Sequence, residues 1–204
     1  DHRTICFATD PTKANIRVIF ALWLVHFTGD LYGSFVSPLL PVFADMFTLS
    51  LAQVGLLAGI HRFLMFIVQP IAGYFADHYR TRFFILGGPI LSLVFIPLVG
   101  VAPSFLALIL FVCLGSIGQS MFHPPVAGMI ASYSGRHFSF CMSVFNAGGT
   151  LAFGVGPIVI TALVAAYGPS GTLLSMIIGI PLIAILFKMV PMPQGEGLAA
   201  HGFI

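Results

Sequence analysis

His26 and Asp30 stand four residues apart in an otherwise apolar stretch that runs from Ile16 to Phe43. On a helix that spacing puts both side chains on one face, about a turn apart. Imidazole exchanges a proton near neutral pH, and desolvation moves a carboxyl's proton exchange toward the same range. The pair therefore suits proton exchange or contact with a polar solute, with a polar lock between helices as the alternative. A metal site would need more ligands than a lone His/Asp pair supplies. Arg62 lies within a second apolar stretch, too deep to reach water easily, and its planar fork of donors calls for an anion. Asp30 is the carboxylate at comparable depth, and an anionic group on a solute is the other candidate partner; both readings stay open. His61 beside it faces a different direction and reads as a packed or interfacial residue. Gln119 and His123 precede Pro124-Pro125, which remove amide donors and bend a helix, so this stretch could line a cavity or serve packing. Asn146-Ala-Gly-Gly149 and Gly154-Val-Gly-Pro157 present small faces for close helix contact.

These polar residues matter because of what surrounds them. Hydrophobic residues make up 58% of the 204 and charged residues 7%, against about 25% charged in soluble domains, so no water-exposed surface can be assembled. The chain is expected to be an integral membrane protein, where a charge held at bilayer depth costs about 3 kcal/mol and is kept for a reason. Backbone groups in lipid are satisfied only by helices or closed barrels, and the long apolar runs fit helices. The net charge of +2 is small and scattered and points to no nucleic-acid partner. Cys6, Cys113 and Cys141 form no CxxC or metal spacing. Neither Ser nor Cys sits at a spacing to His26 or His123 that would make a nucleophile–base set, so no enzyme is expected, nor any cofactor.

Six spans position these residues. A polar lead-in over residues 1–15 precedes a bundle over 16–190, and a Pro/Gly-rich tail over 191–204 has the composition of a linker. The first span runs from Ile16 to Phe43 and is expected to break near Pro38 and Pro41. The second opens at Ser50-Leu-Ala-Gln53, a capping-box pattern, and ends near Ala76. The third fills Phe83 to Val101, the fourth follows Ala102-Pro103-Ser104 and reaches Tyr133, the fifth covers Phe138 to Tyr167, and the sixth Thr172 to Val190. With a cytoplasmic N-terminus, Arg3, Lys13, Arg17, Arg80, Arg82, Arg136 and Lys188 all fall on the cytoplasmic side and the opposite loops hold no Lys or Arg. Both termini are then cytoplasmic. The two triplets of helices enter from opposite faces, the 3+3 inverted repeat found in secondary transporters.

Between the second and third spans, Gly73-Tyr-Phe-Ala-Asp77 followed by Arg80 and Arg82 resembles the signature loop of the major facilitator superfamily, with His78 and Thr81 at positions where basic residues are usual and Arg80 where a second Gly is usual. The resemblance implies a conformational latch of Gly73, Asp77, Arg80 and Arg82, in which the Asp caps a neighbouring helix end. His26-Phe-Thr-Gly-Asp30, Ser37-Pro-Leu-Leu-Pro41, Ser120-Met-Phe-His-Pro124 and Ser143-Val-Phe-Asn-Ala-Gly-Gly149 look like the fosmidomycin-resistance branch of drug exporters. Gly156-Pro157 is similar to the fifth-helix motif of antiporters in that superfamily. Arg62 is not carried over from the branch. The resemblance implies proton-coupled efflux of a small organic molecule, a drug or phosphonate-like anion, by alternating access in a bacterial cytoplasmic membrane. His26 and Asp30 would couple to protons, and Arg62, Gln119, His123 and Asn146 would line the substrate cavity. The family folds as two six-helix bundles, so a second bundle is expected, either another copy or a C-terminal half. A non-transporting scaffold or receptor is the alternative.

Overall fold

Apolar runs long enough to cross a bilayer and bounded by Pro, Gly and Ser become eight α-helices in a computed structural model that describes residues 13–78 and 81–191. They are α1 (Ile16–Gly33), α2 (Val36–Phe47), α3 (Leu51–His78), α4 (Thr81–Phe95), α5 (Phe105–Met121), α6 (His123–Tyr133), α7 (Phe138–Tyr167) and α8 (Met176–Met189). Short 3-10 helices occupy Pro97–Val101, Gly135–His137 and Pro169–Ser175, and no strand occurs among the described residues. Taken together these elements make six spans of sufficient length and hydrophobicity. The lead-in up to residue 12, the tail from 192, and Arg80 lie outside the described residues.

Helix starts follow the capping chemistry. Gln53 Oε1 accepts from the Ser50 amide at 2.9 Å while Ser50 Oγ accepts from the Gln53 amide at 3.3 Å, the reciprocal box expected at the second span. Asn15 and Ser104 cap α1 and α5 one way only, their side-chain oxygens accepting from the Val18 and Ala107 amides.

The first span breaks at Ser34–Phe35, earlier than the prolines themselves. Pro38 has no amide hydrogen to donate four residues back, and its ring crowds that carbonyl, which belongs to Ser34. The disruption therefore appears one turn before Pro38, and Pro38 itself sits in the first turn of α2, where an amide would have had no partner. Ser34 Oγ covers the break by donating to the Leu31 carbonyl at 2.7 Å. The fourth span breaks at Phe122 for the same reason, with Pro124 and Pro125 in the first turn of α6.

α1 lies at the centre, packed on α7 along most of its length and on α4, α5, α6 and α8. Glycines permit this closeness. A Cβ on Gly33 would overlap the Gln119 carboxamide, one on Gly29 the Phe122 ring, and one on Gly156 the Ser34 hydroxyl. The small face expected on α7 is thus the contact with α1. Tyr32 anchors the far side, its hydroxyl donating to the Ser175 carbonyl at 2.7 Å in the buried core.

Gly33→Val should lower the thermal midpoint of the purified chain, since overpacking costs about 1–3 kcal/mol. Gly55→Val, where an added Cβ meets nothing within 4 Å, is the control. Equal midpoints for the two variants would contradict the packing.

Candidate functional site

The breaks in the first and fourth spans bring four polar side chains to one point in the bundle interior. Asp30, one turn before the end of α1, is 4% exposed. His26 Nε2 lies 3.0 Å from Asp30 Oδ2, and His123 Nε2, contributed by the first residue of α6, lies 3.2 Å from Oδ1. Gln119 of α5 donates from Nε2 to Oδ1 at 3.3 Å. The carboxylate is shared among three elements, with one imidazole on each oxygen.

Aromatic rings close the space around these groups. His26 stacks on Phe145 at a centroid distance of 4.0 Å, Phe122 stacks on His123 at 4.3 Å, and the two imidazoles meet edge to face at 5.0 Å. The backbone carbonyl of Phe145 takes a hydrogen bond from His26 Nδ1 at 2.9 Å. A carbonyl only accepts, so Nδ1 carries the hydrogen and, in a neutral ring, Nε2 presents its lone pair to the carboxylate. A proton must then lie between His26 and Asp30, or some other cation must. Gly149 of α7 allows the approach: a Cβ there would stand 2.6 Å from both Asp30 Oδ2 and His26 Nε2. On that side the pair opens to a recess of about 450 Å³ lined by His26, Asp30, Asn146, Gly149, Thr150 and Phe153.

The expected residues divide into those the fold gathers and those it does not. His26, Asp30, His123 and Gln119 converge, and Asn146 reaches the recess from the exposed side of α7. Gln119 is fully buried and acts as a partner of Asp30, while its Oε1 has no hydrogen bond among the described residues. Of the two readings open for Arg62, the pair with Asp30 is not formed among the described residues. Arg62 is exposed on α3 and makes no hydrogen bond or ion pair among the described residues, because α3 packs on α5 and α6 and turns His61 inward. His61, 2% exposed, meets the Ser116 hydroxyl at 2.7 Å, and neighbouring helix positions point about 100° apart, which carries Arg62 away from the core.

In the signature loop, Gly73 runs against Pro124 of α6. Asp77 is exposed in the last turn of α3, and Arg82 donates from Nη2 to the Phe187 carbonyl near the end of α8 at 2.7 Å. The link from this loop to a helix terminus is made by the arginine, which suits the negative end of a helix dipole. Arg80 lies outside the described residues. Sequence reading missed the Phe145 carbonyl, for which no side chain gives a signal, and Thr150 and Phe153, which share the Asn146 face of α7 at helical spacing.

Six spans around a membrane-depth cluster of two histidines and a carboxylate define a multi-pass integral membrane protein with a polar interior site. The chain belongs to the Major Facilitator Superfamily, whose family model matches residues 22–202. It is 25% identical over 182 residues to the fosmidomycin resistance protein of Escherichia coli (strain K12), covering 89% of this chain and 45% of that protein. It is 30% identical over 145 residues to the quinolone resistance protein NorA of Staphylococcus aureus, covering 69% of this chain and 37% of that one. An uncharacterised MFS-type transporter of Methanocaldococcus jannaschii is 28% identical over 155 residues, 74% of this chain and 39% of the relative. The chain spans less than half the length of these curated relatives. It is thus a member of a transporter family rather than of an enzyme family.

Because His26 and His123 share one carboxylate, their removal should be strongly non-additive. A double-mutant cycle of His26→Ala and His123→Ala, read by chemical unfolding, is expected to give a coupling energy of about 1 kcal/mol or more. Additivity within about 0.5 kcal/mol would contradict the shared site.

Proposed function

We propose that this chain is one six-helix bundle of a secondary active exporter, coupled to protons through His26 and Asp30 and moving a small organic molecule by alternating access. The observation that carries the reading is the hydrogen-bond sense at His26: with Nδ1 committed to the Phe145 carbonyl, the Nε2–Oδ2 contact of 3.0 Å requires a cation, and a proton is the simplest one. Protonation of this pair changes the charge of a low-dielectric interior by one unit. Such a step can set which arrangement of helices is stable. His123, on the second carboxylate oxygen, is the next proton acceptor in reach.

Several features favour a 3+3 inverted repeat with both ends cytoplasmic. The first helices of the two triplets break at similar points, 18 residues into the first span and 17 into the fourth. Asp30 lies just before one break and Gln119 just before the other. Lys13, Arg17, Arg82, Arg136 and Lys188 flank spans on the side assigned to the cytoplasm.

A second six-helix bundle, as another copy or as a C-terminal half, would cover the exposed sides of α3 and α7. Phe63 and Phe66 on α3 are 64% and 78% exposed beside Arg62. An arginine on such an apolar surface favours a polar counterpart opposite it rather than lipid, either on the second bundle or on a substrate anion. Asn146, Thr150 and the recess open in the same role on α7. Asp77, exposed at the end of α3, would cap a helix of that second bundle if it acts as the latch of the resemblance. The names of the relatives suggest fosmidomycin and quinolones as probes.

Everted membrane vesicles carrying the chain together with its partner bundle are expected to accumulate a labelled probe when an inward-acid pH gradient is imposed. Asp30→Asn should abolish the gradient-dependent part while leaving probe binding measurable. Gradient dependence equal to that of the unaltered protein would remove Asp30 from the coupling role.

A further inference from the structure

The spacing of His26 and Asp30 supplies two ligands, and the fold supplies a third. His26 Nε2, His123 Nε2 and a carboxylate oxygen of Asp30 all lie within 4.8 Å of one another. We propose that His26, Asp30 and His123 form a binding site for one divalent transition cation of the zinc class, open on its recess side to water or an exogenous ligand.

The donor chemistry carries this. Two imidazoles and one carboxylate, with a position left open, are the ligand set of zinc sites that hold water or a solute in their last position. Bonds of about 2.0–2.1 Å in tetrahedral geometry place ligand atoms roughly 3.3 Å apart. His26 and His123 contact the two different oxygens of Asp30 at 3.0 and 3.2 Å, and the three ligand atoms fall within 4.8 Å of one another, so a cation would draw the two imidazoles together onto the carboxylate. The orientation of the His26 ring is also that of a ligand. The Phe145 carbonyl holds the Nδ1–H of His26 and leaves its Nε2 lone pair directed at the cluster. The hydrogen bond that fixes a ligating histidine's tautomer is a regular feature of such sites. Gln119 plays the corresponding part for the carboxylate, donating to Oδ1 at 3.3 Å.

A second observation comes from the atoms left over. His123 Nε2 is buried, approaches the carboxylate closely, and has no hydrogen bond among the described residues. An imidazole nitrogen aimed at an anion without a directed hydrogen bond fits a cation between them better than it fits a direct pair. The recess provides both an entry route and room for the remaining ligands, with Asn146 and Thr150 able to hold water there. Among the described residues no other group of three His, Cys, Asp or Glu side chains meets the same spacing.

The inference does not depend on transport, since it is read on the purified chain whether or not that chain moves a solute. Tag-free protein in nanodiscs would be equilibrated with Zn2+ and washed, and in parallel titrated with Co2+ as a visible probe. The expected result is one Zn2+ retained per chain and an intense ligand-field absorption from Co2+ in a low-coordinate site. Asp30→Asn and His123→Ala should each weaken Zn2+ binding more than about 100-fold, beyond the roughly 10- to 100-fold that losing an outer-shell partner costs; Gln119→Ala should fall within that smaller range. His137→Ala, exposed at the head of α7, should bind as the unaltered chain does. X-ray absorption on the Zn2+-loaded unaltered chain decides the matter if a variant fails to fold, and should show two imidazole nitrogens at about 2.0–2.1 Å. Absence of retained Zn2+, equal retention by Asp30→Asn and His123→Ala, or a first shell without two imidazoles would overturn the proposal.

Discussion

A carboxylate inside a helical bundle has to be balanced by positive charge or hydrogen-bond donors, and the arrangement of this protein around Asp30 meets that requirement. Unpaired, the group would cost several kcal/mol in so apolar a setting. Its two oxygens receive an imidazole each and one amide donor, drawn from α1, α5 and α6. The close packing of α1, the two helix breaks and the glycines of α7 all serve to bring those side chains within reach.

The breaks are as important as the ionisable groups. A straight fourth span would keep His123 on the rotation set by α5. The interruption at Phe122 lets α6 begin with His123 facing α1, while Phe122 itself packs against Gly29 and His26. The interruption at Ser34–Phe35 lies just beyond Asp30 and is tied to α7 through Ser34, whose hydroxyl lies 3.5 Å from the Ala152 carbonyl. Proline at the first turn of the following helix produces both. The same device thus places the two halves of the cluster, and it does so without disturbing the continuous 30-residue α7 that forms the opposite wall.

Much of this was legible before any coordinates. Apolar length marked six spans, Ser50 and Gln53 marked a helix start, and the spacing of His26 and Asp30 put them on one face. The location of the first break was misjudged because proline acts on the carbonyl four residues back, so Ser34 rather than Pro38 marks the discontinuity. Of the two partners open to Arg62, Asp30 is not the one it meets, because depth in the membrane says nothing about rotation: the residue that turns inward is its neighbour His61, which meets Ser116. The third member of the cluster was hidden for a different reason. His123 lies far from Asp30 along the chain, and no local pattern specifies that α6 packs on α1. The Phe145 carbonyl, which sets the tautomer of His26, is a backbone group and leaves no trace in residue type.

The central claim is that one carboxylate organises two imidazoles inside the bundle. Nitrogen-15 solid-state NMR of the histidine-labelled chain in bilayers measures this directly, by comparing ring-nitrogen shifts before and after Asp30→Asn. Of the seven histidines, the rings of His26 and His123 should change markedly and His61, held by Ser116, should stay where it was. If neither ring moves, or if the rings that move belong to other histidines, Asp30 does not hold the cluster together and the account fails.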